Sequence, residues 1–316
     1  MAYNMQKSKG YFRDGLVNFD EMNLSVASAS VLYGLGVYTV FYCGWDKHND
    51  QLWAFKLEEH YKRLKQSARI MSFPDFEEQY SYSQFKNLLI NMLRVNKIKD
   101  NVLVRVSLFV DENLSGTKTL GLRTSLAAFI YPAVPMYPAS GINVGVSSWT
   151  RTPDNSIPAR AKVHGNYVNA SLAKNDALAA GYDEAILLDN QGQVAESTVT
   201  NICIVRDGTI ISPAPSTDLL EGITVRTIEQ LAQHLNIPFV WRAIDRSELS
   251  VADEIFLTGS SAGVTAVLSV NKQQVGNGTI GPIALELYKL YAETRVGNIP
   301  QFRSWLTPIY EKKSQI

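Results

Sequence analysis

The most reactive group that the sequence offers is the amine of Lys162, which lies at the end of a loop before a predicted helix. A lysine on a flexible stem can form an imine with an aldehyde and can move a proton once its charge is suppressed. Glu196 directly precedes an apolar strand, where a buried carboxylate needs a cationic partner. Because lone lysines of this kind are usually solvated, chemistry alone leaves the role of Lys162 open.

Two turns are candidates for binding an anion. Gly222-Ile223-Thr224 opens an amphipathic helix, and the free N–H groups and positive dipole end of a helix start favour a phosphate. The hydroxyl-rich turn Thr258-Gly259-Ser260-Ser261-Ala262 follows a strand and offers further donors to a phosphate or a carboxylate. An ordinary capped helix remains the alternative for the first turn.

Two generic motifs lack the neighbouring residues that their usual functions require. Gly259-Ser260-Ser261-Ala262-Gly263 has the pattern of a hydrolase nucleophile elbow, but that fold needs a histidine downstream and the last one here is His234. The residues after Gly263 also predict a strand where a hydrolase requires a helix. Gly34-Leu35-Gly36 lacks the third glycine of a dinucleotide fingerprint, so neither function is supported.

Composition restricts the partners. Thirty basic and thirty acidic residues among 316 give a net charge of zero, which argues against nucleic acid or an anionic membrane as a partner. No apolar run is long enough to span a bilayer and the start has no signal-peptide pattern, so we expect a cytoplasmic protein. Cys43 and Cys203 are expected in the core, His164 is expected to be solvated or capping, and no metal site is predicted.

Hydrophobic periodicity alternates between strand and helix, which predicts an α/β or α+β enzyme. The turn pair Asp14-Gly15 predicts a hairpin, and Asp207-Gly208 predicts another between 202 and 212. Further strands are predicted at 37–42, 52–55, 102–110, 142–149, 184–188, 239–244, 254–258 and 264–270, and helices at 57–71, 82–96, 167–180, 224–235 and 282–295.

A proline-rich stretch without periodicity, residues 131–141, predicts a connecting loop. It divides the chain into a smaller N-terminal α/β domain, residues 1–130, and a larger C-terminal domain, residues 142–316.

Several motifs together resemble one family, the pyridoxal-phosphate-dependent class IV aminotransferases of fold type IV, and most of all its branched-chain amino acid aminotransferases. The resemblance covers nearly the whole chain in the order of the family. The motifs are His60-x-x-Arg63-Leu64, Ser148-Trp149-x-Arg151, Arg160-Ala161-Lys162-x-x-Gly165-Asn166-Tyr167, Glu196-x-Thr198-x-x-Asn201, Leu220-x-Gly222-Ile223-Thr224 and Ala252-Asp253-Glu254-x-Phe256-x-x-Gly259.

The resemblance implies a two-domain fold whose C-terminal domain is a pseudo-barrel, and an activity that moves an amino group between an amino acid and 2-oxoglutarate. Lys162 would form the internal aldimine with pyridoxal 5′-phosphate and carry out the 1,3-proton transfer, while Glu196 would pair with the pyridine nitrogen. The remaining implied coenzyme contacts are Arg63, Tyr167 at the 3′-oxygen, Asn201, Leu220, Ile223, Thr224 and Ser260.

For the substrate, the resemblance implies contacts from Tyr38, Arg105, Ser260, Ser261 and Ala262, and a homodimer or larger homo-oligomer. The family's Tyr-x-Arg on the strand before the loop is Leu103-Val104-Arg105 here, and its Phe-Glu-Gly is Tyr38-Thr39-Val40. The lost tyrosine hydroxyl weakens the expected carboxylate recognition. Transaminases of D-amino acids or (R)-amines, and aminodeoxychorismate lyases, therefore remain alternatives.

Overall fold

The computed structural model describes residues 3–73 and 76–311 and contains two β-sheets with helices packed on them. The strands are β1 (Lys9–Phe12), β2 (Gly15–Asn18), β3 (Gly36–Asp46), β4 (Gln51–Phe55), β5 (Val102–Val110), β6 (Thr124–Pro132), β7 (Ile142–Val146), β8 (Glu184–Leu188), β9 (Val194–Ser197), β10 (Asn201–Arg206), β11 (Thr209–Ser212), β12 (Phe239–Trp241), β13 (Glu254–Gly259), β14 (Gly263–Val270), β15 (Gln273–Gln274) and β16 (Leu306–Pro308).

The α-helices are α1 (Ala29–Tyr33), α2 (Leu57–Ile70), α3 (Phe76–Gln79), α4 (Tyr82–Val95), α5 (Tyr167–Ala179), α6 (Ile223–His234) and α7 (Pro282–Arg295). Short 3₁₀ helices occupy Met5–Lys7, Phe19–Glu21, Arg246–Ser250 and Pro300–Trp305. Among the described residues, no helix is both long and apolar enough to cross a bilayer.

The chain forms two compact units. Unit 1 comprises Met1–Val134, Ala161–Gly165 and Glu293–Ile316, and unit 2 comprises Pro135–Arg160 and Asn166–Ala292. The sequence predicted one division at 131–141 with a larger second domain, whereas the units are of nearly equal length and each draws on separate stretches of chain. The reason is pairing between distant segments: β16 pairs with β4, which places the end of the chain in unit 1.

Unit 1 is built on an antiparallel sheet with the strand order β16-β4-β3-β5-β6-β1-β2. β3 and β5 are rich in valine, leucine and aromatic residues and are buried along almost their whole length, as central strands with two covered faces require. Phe41, Leu52, Phe85 and Leu108 are completely buried in this core.

Local signals explain the ends of several elements in unit 1. α4 begins with a capping box, in which Ser81 Oγ accepts from the N–H of Gln84 and Gln84 Oε1 accepts from the N–H of Ser81. The predicted hairpin of β1 and β2 is present, but its turn is Arg13-Asp14, because Phe12 pairs with Gly15. The turn therefore lies one residue earlier than the Asp14-Gly15 pair predicted.

Unit 2 is built on a mixed sheet with the strand order β12-β11-β10-β13-β14-β7-β8-β9 and β15 paired to β14. Its core includes Ile202, Ile204, Ile255 and Leu257, which alternate along β10 and β13 and face the same side. The predicted turn Asp207-Gly208 joins β10 to β11 with φ of 48° and 71°, the two positive values of a type I′ turn.

Candidate functional site

Lys162 is held at an open edge of β3. The N-terminal half of β3 pairs with β5 on one side, whereas β4 pairs only from Cys43 onward. Ala161–Gly165 lies along the remaining edge: the N–H of Tyr38 donates to the carbonyl of Lys162 at 3.0 Å, and the N–H of His164 donates to the carbonyl of Gly36 at 2.9 Å. The N–H of Lys162 donates to Ser67 Oγ on α2 at 3.1 Å, so the lysine backbone is fixed on both sides.

The Tyr38 ring is the centre of a group of cationic side chains. Lys162 Nζ lies 5.0 Å and Arg105 Cζ 3.6 Å from the centroid of the ring, both within cation–π distance. Among the described residues no carboxylate forms an ion pair with Arg105. This part of unit 1 therefore carries positive charge that suits an anionic ligand.

His164 is packed rather than solvated, so the expectation for this residue was wrong. Its ring lies 5.2 Å from the Tyr38 ring, and its Nε2 is 3.4 Å from Ser107 Oγ. A Cβ at Gly36 would come within 2.6 Å of His164 Nδ1, so the ring occupies space that only a glycine leaves open. Burial, followed by the charge of Arg105, lowers the pKa of His164 to about 4, and the imidazole is neutral at pH 7.

α2 presents His60, Arg63 and Ser67 at helical spacing toward β3 and Lys162. Arg63 Nη2 donates to Thr39 Oγ1 at 3.3 Å, and the same oxygen lies 2.6 Å from His60 Nδ1. Burial lowers the pKa of His60 well below its ordinary value, and the charges of Arg63 and Lys162 lower it further. The motif histidine is thus a neutral hydrogen-bonding group beside two cations.

In unit 2, Glu196 is buried and both of its oxygens are occupied. Oε1 accepts from Arg151 Nε at 2.6 Å, and Oε2 accepts from Asn201 Nδ2 at 3.2 Å and from the N–H of Leu220 at 3.3 Å. Arg151 also donates from Nη1 to Asn166 Oδ1 at 3.2 Å. The cationic partner that a buried carboxylate requires is therefore supplied within the chain by Arg151.

The start of α6 adjoins this cluster. Its N-cap is Gly222, which brings no side chain to accept from the first-turn N–H groups of Ile223 and Thr224. A Cβ at Gly222 would overlap Oδ1 of Asn201, so a glycine is needed for this close approach. An uncapped helix start of this kind is an anion-binding element.

The remaining predicted residues also lie in unit 2. Ser260, Ser261 and Ala262 form the half-buried turn between β13 and β14, and Asn201 pairs with Thr258 just before that turn. Gly263 begins a strand, as the rejection of the hydrolase motif required. Tyr167 is the first residue of α5.

The predicted site residues thus form two groups. Unit 1 holds Lys162, Arg63, Tyr38 and Arg105, and unit 2 holds Glu196, Asn201, Leu220, Tyr167, Ile223, Thr224 and the Ser260 turn. The first group offers an amine among cations; the second offers a fixed carboxylate and an uncapped helix start. Within the described residues no cluster of histidine, cysteine and carboxylate side chains could hold a metal ion.

Sequence reasoning missed what Arg151, Asn166 and Thr39 do, although Arg151 and Asn166 lay within quoted motifs. A signal existed for Arg151, because Glu196 was recognised as a carboxylate in need of a cation. Nothing local singles out Thr39, whose contacts come from a helix about twenty residues later. Burial raises the pKa of the Cys43 and Cys203 thiols, and both lie in the core as predicted.

Comparison with protein families gives a match over residues 41–270 to the model described as amino-transferase class IV. A probable branched-chain-amino-acid aminotransferase of Aquifex aeolicus is 39% identical over 305 residues, which is 96% of this chain and 97% of that protein. The branched-chain-amino-acid aminotransferase of Escherichia coli K12 is 31% identical over 304 residues, with coverage of 95% and 96%.

Solved structures give the same result. The branched-chain aminotransferase of Thermoproteus uzoniensis, crystallised with norvaline, matches with a TM-score of 0.90 at 31% identity over 96% of this chain and 99% of that chain. The PLP-bound holo-form from Thermobaculum terrenum matches with a TM-score of 0.91 at 27% identity, with coverage of 98% and 100%. The fold predicted from the resemblance is thereby confirmed.

Proposed function

This chain belongs to the class IV aminotransferase family, and from that premise we propose that it transfers the amino group of a branched-chain L-amino acid to 2-oxoglutarate with pyridoxal 5′-phosphate as coenzyme. The observation that carries the proposal is the setting of Lys162, a half-buried amine whose backbone is fixed by Tyr38 and Ser67 beside a cationic group. Relatives named for this activity match the chain over nearly their full length.

The residues present fit the coenzyme part by part. Glu196 is a buried carboxylate already fixed by Arg151, as an acceptor for a protonated pyridine nitrogen must be. Arg63 and the uncapped N–H groups of Ile223 and Thr224 are donors suited to a phosphate. When bound, the coenzyme supplies an aldehyde that takes up the amino group and a ring that accepts the electron pair left at the substrate Cα.

Each residue then has a defined task. Lys162 Nζ would hold and move the proton that leaves the substrate Cα. Arg151 holds Glu196 in place, so the carboxylate meets the ring nitrogen without first having to reorganise. Ser260 would add a hydroxyl to the phosphate site and Tyr167 would donate to the 3′-oxygen, while Asn201 and Leu220 keep Glu196 aligned.

For the substrate, we propose that the Ser260-Ser261-Ala262 turn binds the α-carboxylate and that Tyr38 borders the side chain. Arg105, which has no ion-pair partner in the described chain, binds the second carboxylate of glutamate or 2-oxoglutarate. Leu103 is buried on the same strand between Tyr42 and Tyr131, the residues opposite it on β3 and β6. It contributes an apolar contact in place of the family's tyrosine hydroxyl.

The proposed assembly is a homodimer or a larger homo-oligomer. Support comes from an apolar surface around α1, where Val26 is 82% exposed and Val31, Leu32 and Tyr33 are each exposed to about half. Light scattering on the purified protein measures the subunit number. A cytoplasmic location stays a prediction.

The activity test mixes the purified protein with L-leucine or L-valine and 2-oxoglutarate and follows glutamate. We expect glutamate to form and the coenzyme absorption band to be lost on treatment with borohydride. Turnover only of D-amino acids or (R)-amines would replace the proposal with another transaminase, and pyruvate release from aminodeoxychorismate would replace it with the lyase. A protein that binds no pyridoxal 5′-phosphate would refute all of these functions.

A further inference from the structure

One buried hydroxyl links two side chains of α2 to the central strand of unit 1. Thr39 is completely buried in β3, and its Oγ1 lies 2.6 Å from His60 Nδ1 and 3.3 Å from Arg63 Nη2. His60 and Arg63 are three residues apart and lie on the same face of the helix. A single oxygen therefore contacts both motif residues of α2.

The direction of the Arg63 bond follows from the chemistry of the groups. A guanidinium can only donate, so Thr39 Oγ1 accepts from Arg63. The hydroxyl keeps its own proton and a second lone pair, so it pairs with His60 Nδ1 in either tautomer of the neutral ring. The low pKa of His60 agrees with this neutral form.

The backbone and the side chain of Arg63 are held by different groups. Ser67 Oγ donates to the carbonyl of Arg63 at 2.9 Å and accepts from the N–H of Lys162, so it fixes the helix backbone relative to the lysine. A bond to the backbone carbonyl does not itself orient the long arginine side chain, and freezing the torsions of such a chain costs conformational entropy. Thr39 supplies the fixed acceptor that Ser67 does not.

We propose that Thr39 is a positioning residue whose hydroxyl orients the Arg63 guanidinium toward the phosphate of the coenzyme. The proposal rests on the proposed function, because it takes Arg63 as a phosphate ligand. Thr39 itself touches no reacting atom, and its effect is on the affinity of the protein for the phosphate group.

Three variants separate this role from packing. Thr39→Val keeps the shape of the side chain and removes the hydroxyl, whereas Thr39→Ser keeps the hydroxyl and removes a methyl group. Thr124→Val is the matched control, because Thr124 is a buried threonine of β6 in the same sheet whose Oγ1 has no hydrogen-bond partner in the described chain. Arg63→Gln marks the effect of losing the phosphate ligand itself.

The experiment titrates each apo-protein with pyridoxal 5′-phosphate and separately with pyridoxal, which lacks the phosphate, and follows the absorption band. We expect Thr39→Val to weaken pyridoxal 5′-phosphate binding about tenfold and pyridoxal binding less than about twofold. Thr39→Ser and Thr124→Val should stay within about twofold of the wild type for both compounds. Arg63→Gln should show the same selectivity with a larger loss.

The proposal is overturned if Thr39→Val binds the phosphorylated compound as tightly as the wild type. It is also overturned if both compounds weaken equally, or if Thr39→Ser is as weak as Thr39→Val, because those outcomes indicate packing. If the protein does not use the coenzyme at all, the pattern is different: the wild type binds neither compound. If Arg63→Gln binds both compounds as tightly as the wild type, Arg63 is not a phosphate ligand and the Thr39 proposal fails, while coenzyme binding itself stands.

Discussion

The Lys162 group of unit 1 and the Glu196 group of unit 2 differ in how far their charges are compensated within the chain. Glu196 is paired with Arg151 at 2.6 Å and has hydrogen bonds on both oxygens. Around Tyr38, by contrast, Lys162 and Arg105 lie beside a neutral His164, and Arg105 has no ion pair in the described chain. One group is complete within the protein, and the other concentrates cations.

This difference indicates where binding energy is available. A carboxylate that is already solvated by fixed protein groups needs no reorganisation when a ligand arrives, so it contributes alignment. Cations held close together lose mutual repulsion when an anion binds, so they contribute affinity for charged ligands. The following experiments test the contrast, beginning with the largest expected effect.

Replacing the amine separates its chemistry from its charge. We expect Lys162→Ala to reduce turnover of L-leucine with 2-oxoglutarate at least about a thousandfold, because the proposed function assigns the proton transfer to the Lys162 amine. Lys162→Arg keeps the positive charge but not the nucleophilic amine, so it should be equally inactive. Far-UV circular dichroism checks that both variants are folded. Turnover by Lys162→Arg would show that this group acts through charge alone.

Replacing the acid of the other group tests its alignment role. We expect Glu196→Gln to slow the half-reaction with L-leucine about a hundred- to a thousandfold, because a neutral amide stabilises a protonated pyridine poorly. Glu248→Gln is the control, since it breaks another Arg–Glu pair of unit 2, with Arg242 at 2.7 Å, and Glu248 is not one of the predicted site residues. Stopped-flow absorbance measures the half-reaction rates of both variants. Equal rates for Glu196→Gln and the wild type would remove Glu196 from the mechanism.

The contrast also predicts that two arginine substitutions destabilise the apo-protein to different extents. Arg151→Gln leaves a buried carboxylate without its cation and should lower the free energy of unfolding by about 3–5 kcal/mol. Arg105→Gln removes a contact with the Tyr38 ring and breaks no ion pair of the described chain, so its cost should be about 0.5–1 kcal/mol or less. Urea denaturation measures both values. Similar losses for the two arginines would contradict the difference in charge balance.

The smallest effect concerns His164 and pH. Its pKa is about 4 in the folded protein and near 6.5 when unfolded, so the unfolded chain binds more protons between these values. Stability is therefore lost as the pH falls from about 6.5 toward 4. His164→Asn should lower this slope by at most about 1.4 kcal/mol per pH unit. Part of the slope should remain, because the pKa of His60 is also lowered in the folded protein. Urea denaturation at several pH values checks this, and an unchanged slope would mean that His164 is not protected from protonation.

Segments with a continuous pattern were predicted to the residue. β5, β8 and α7 have the bounds expected from the sequence, because one run of β-branched or periodic apolar residues defines each of them. Strands that depend on distant partners were not: β6 and β16 were missed, and β7 ends at Val146, earlier than predicted. A short segment becomes a strand when a neighbour satisfies its backbone, which no local pattern records.

The site residues also divide into features that a local pattern indicates and features that depend on distant partners. Residue type and position singled out Lys162, Glu196 and the α6 start as candidate groups, and the roles that the resemblance implies for them stay predictions. The sequence did not reveal that Arg151 neutralises Glu196, that His164 packs against Gly36, or that Thr39 contacts Arg63. These are contacts between segments far apart in the chain.

The amino-acid order by itself determined which groups are available and which helices and strands carry them, because residue type and periodicity act locally. Only the tertiary structure decided the surroundings of those groups: which carboxylate is neutralised, which histidine is neutral, and which hydroxyl orients an arginine. The physical reason is that desolvation and hydrogen bonding depend on distance in space, and folding brings together residues that the sequence keeps apart.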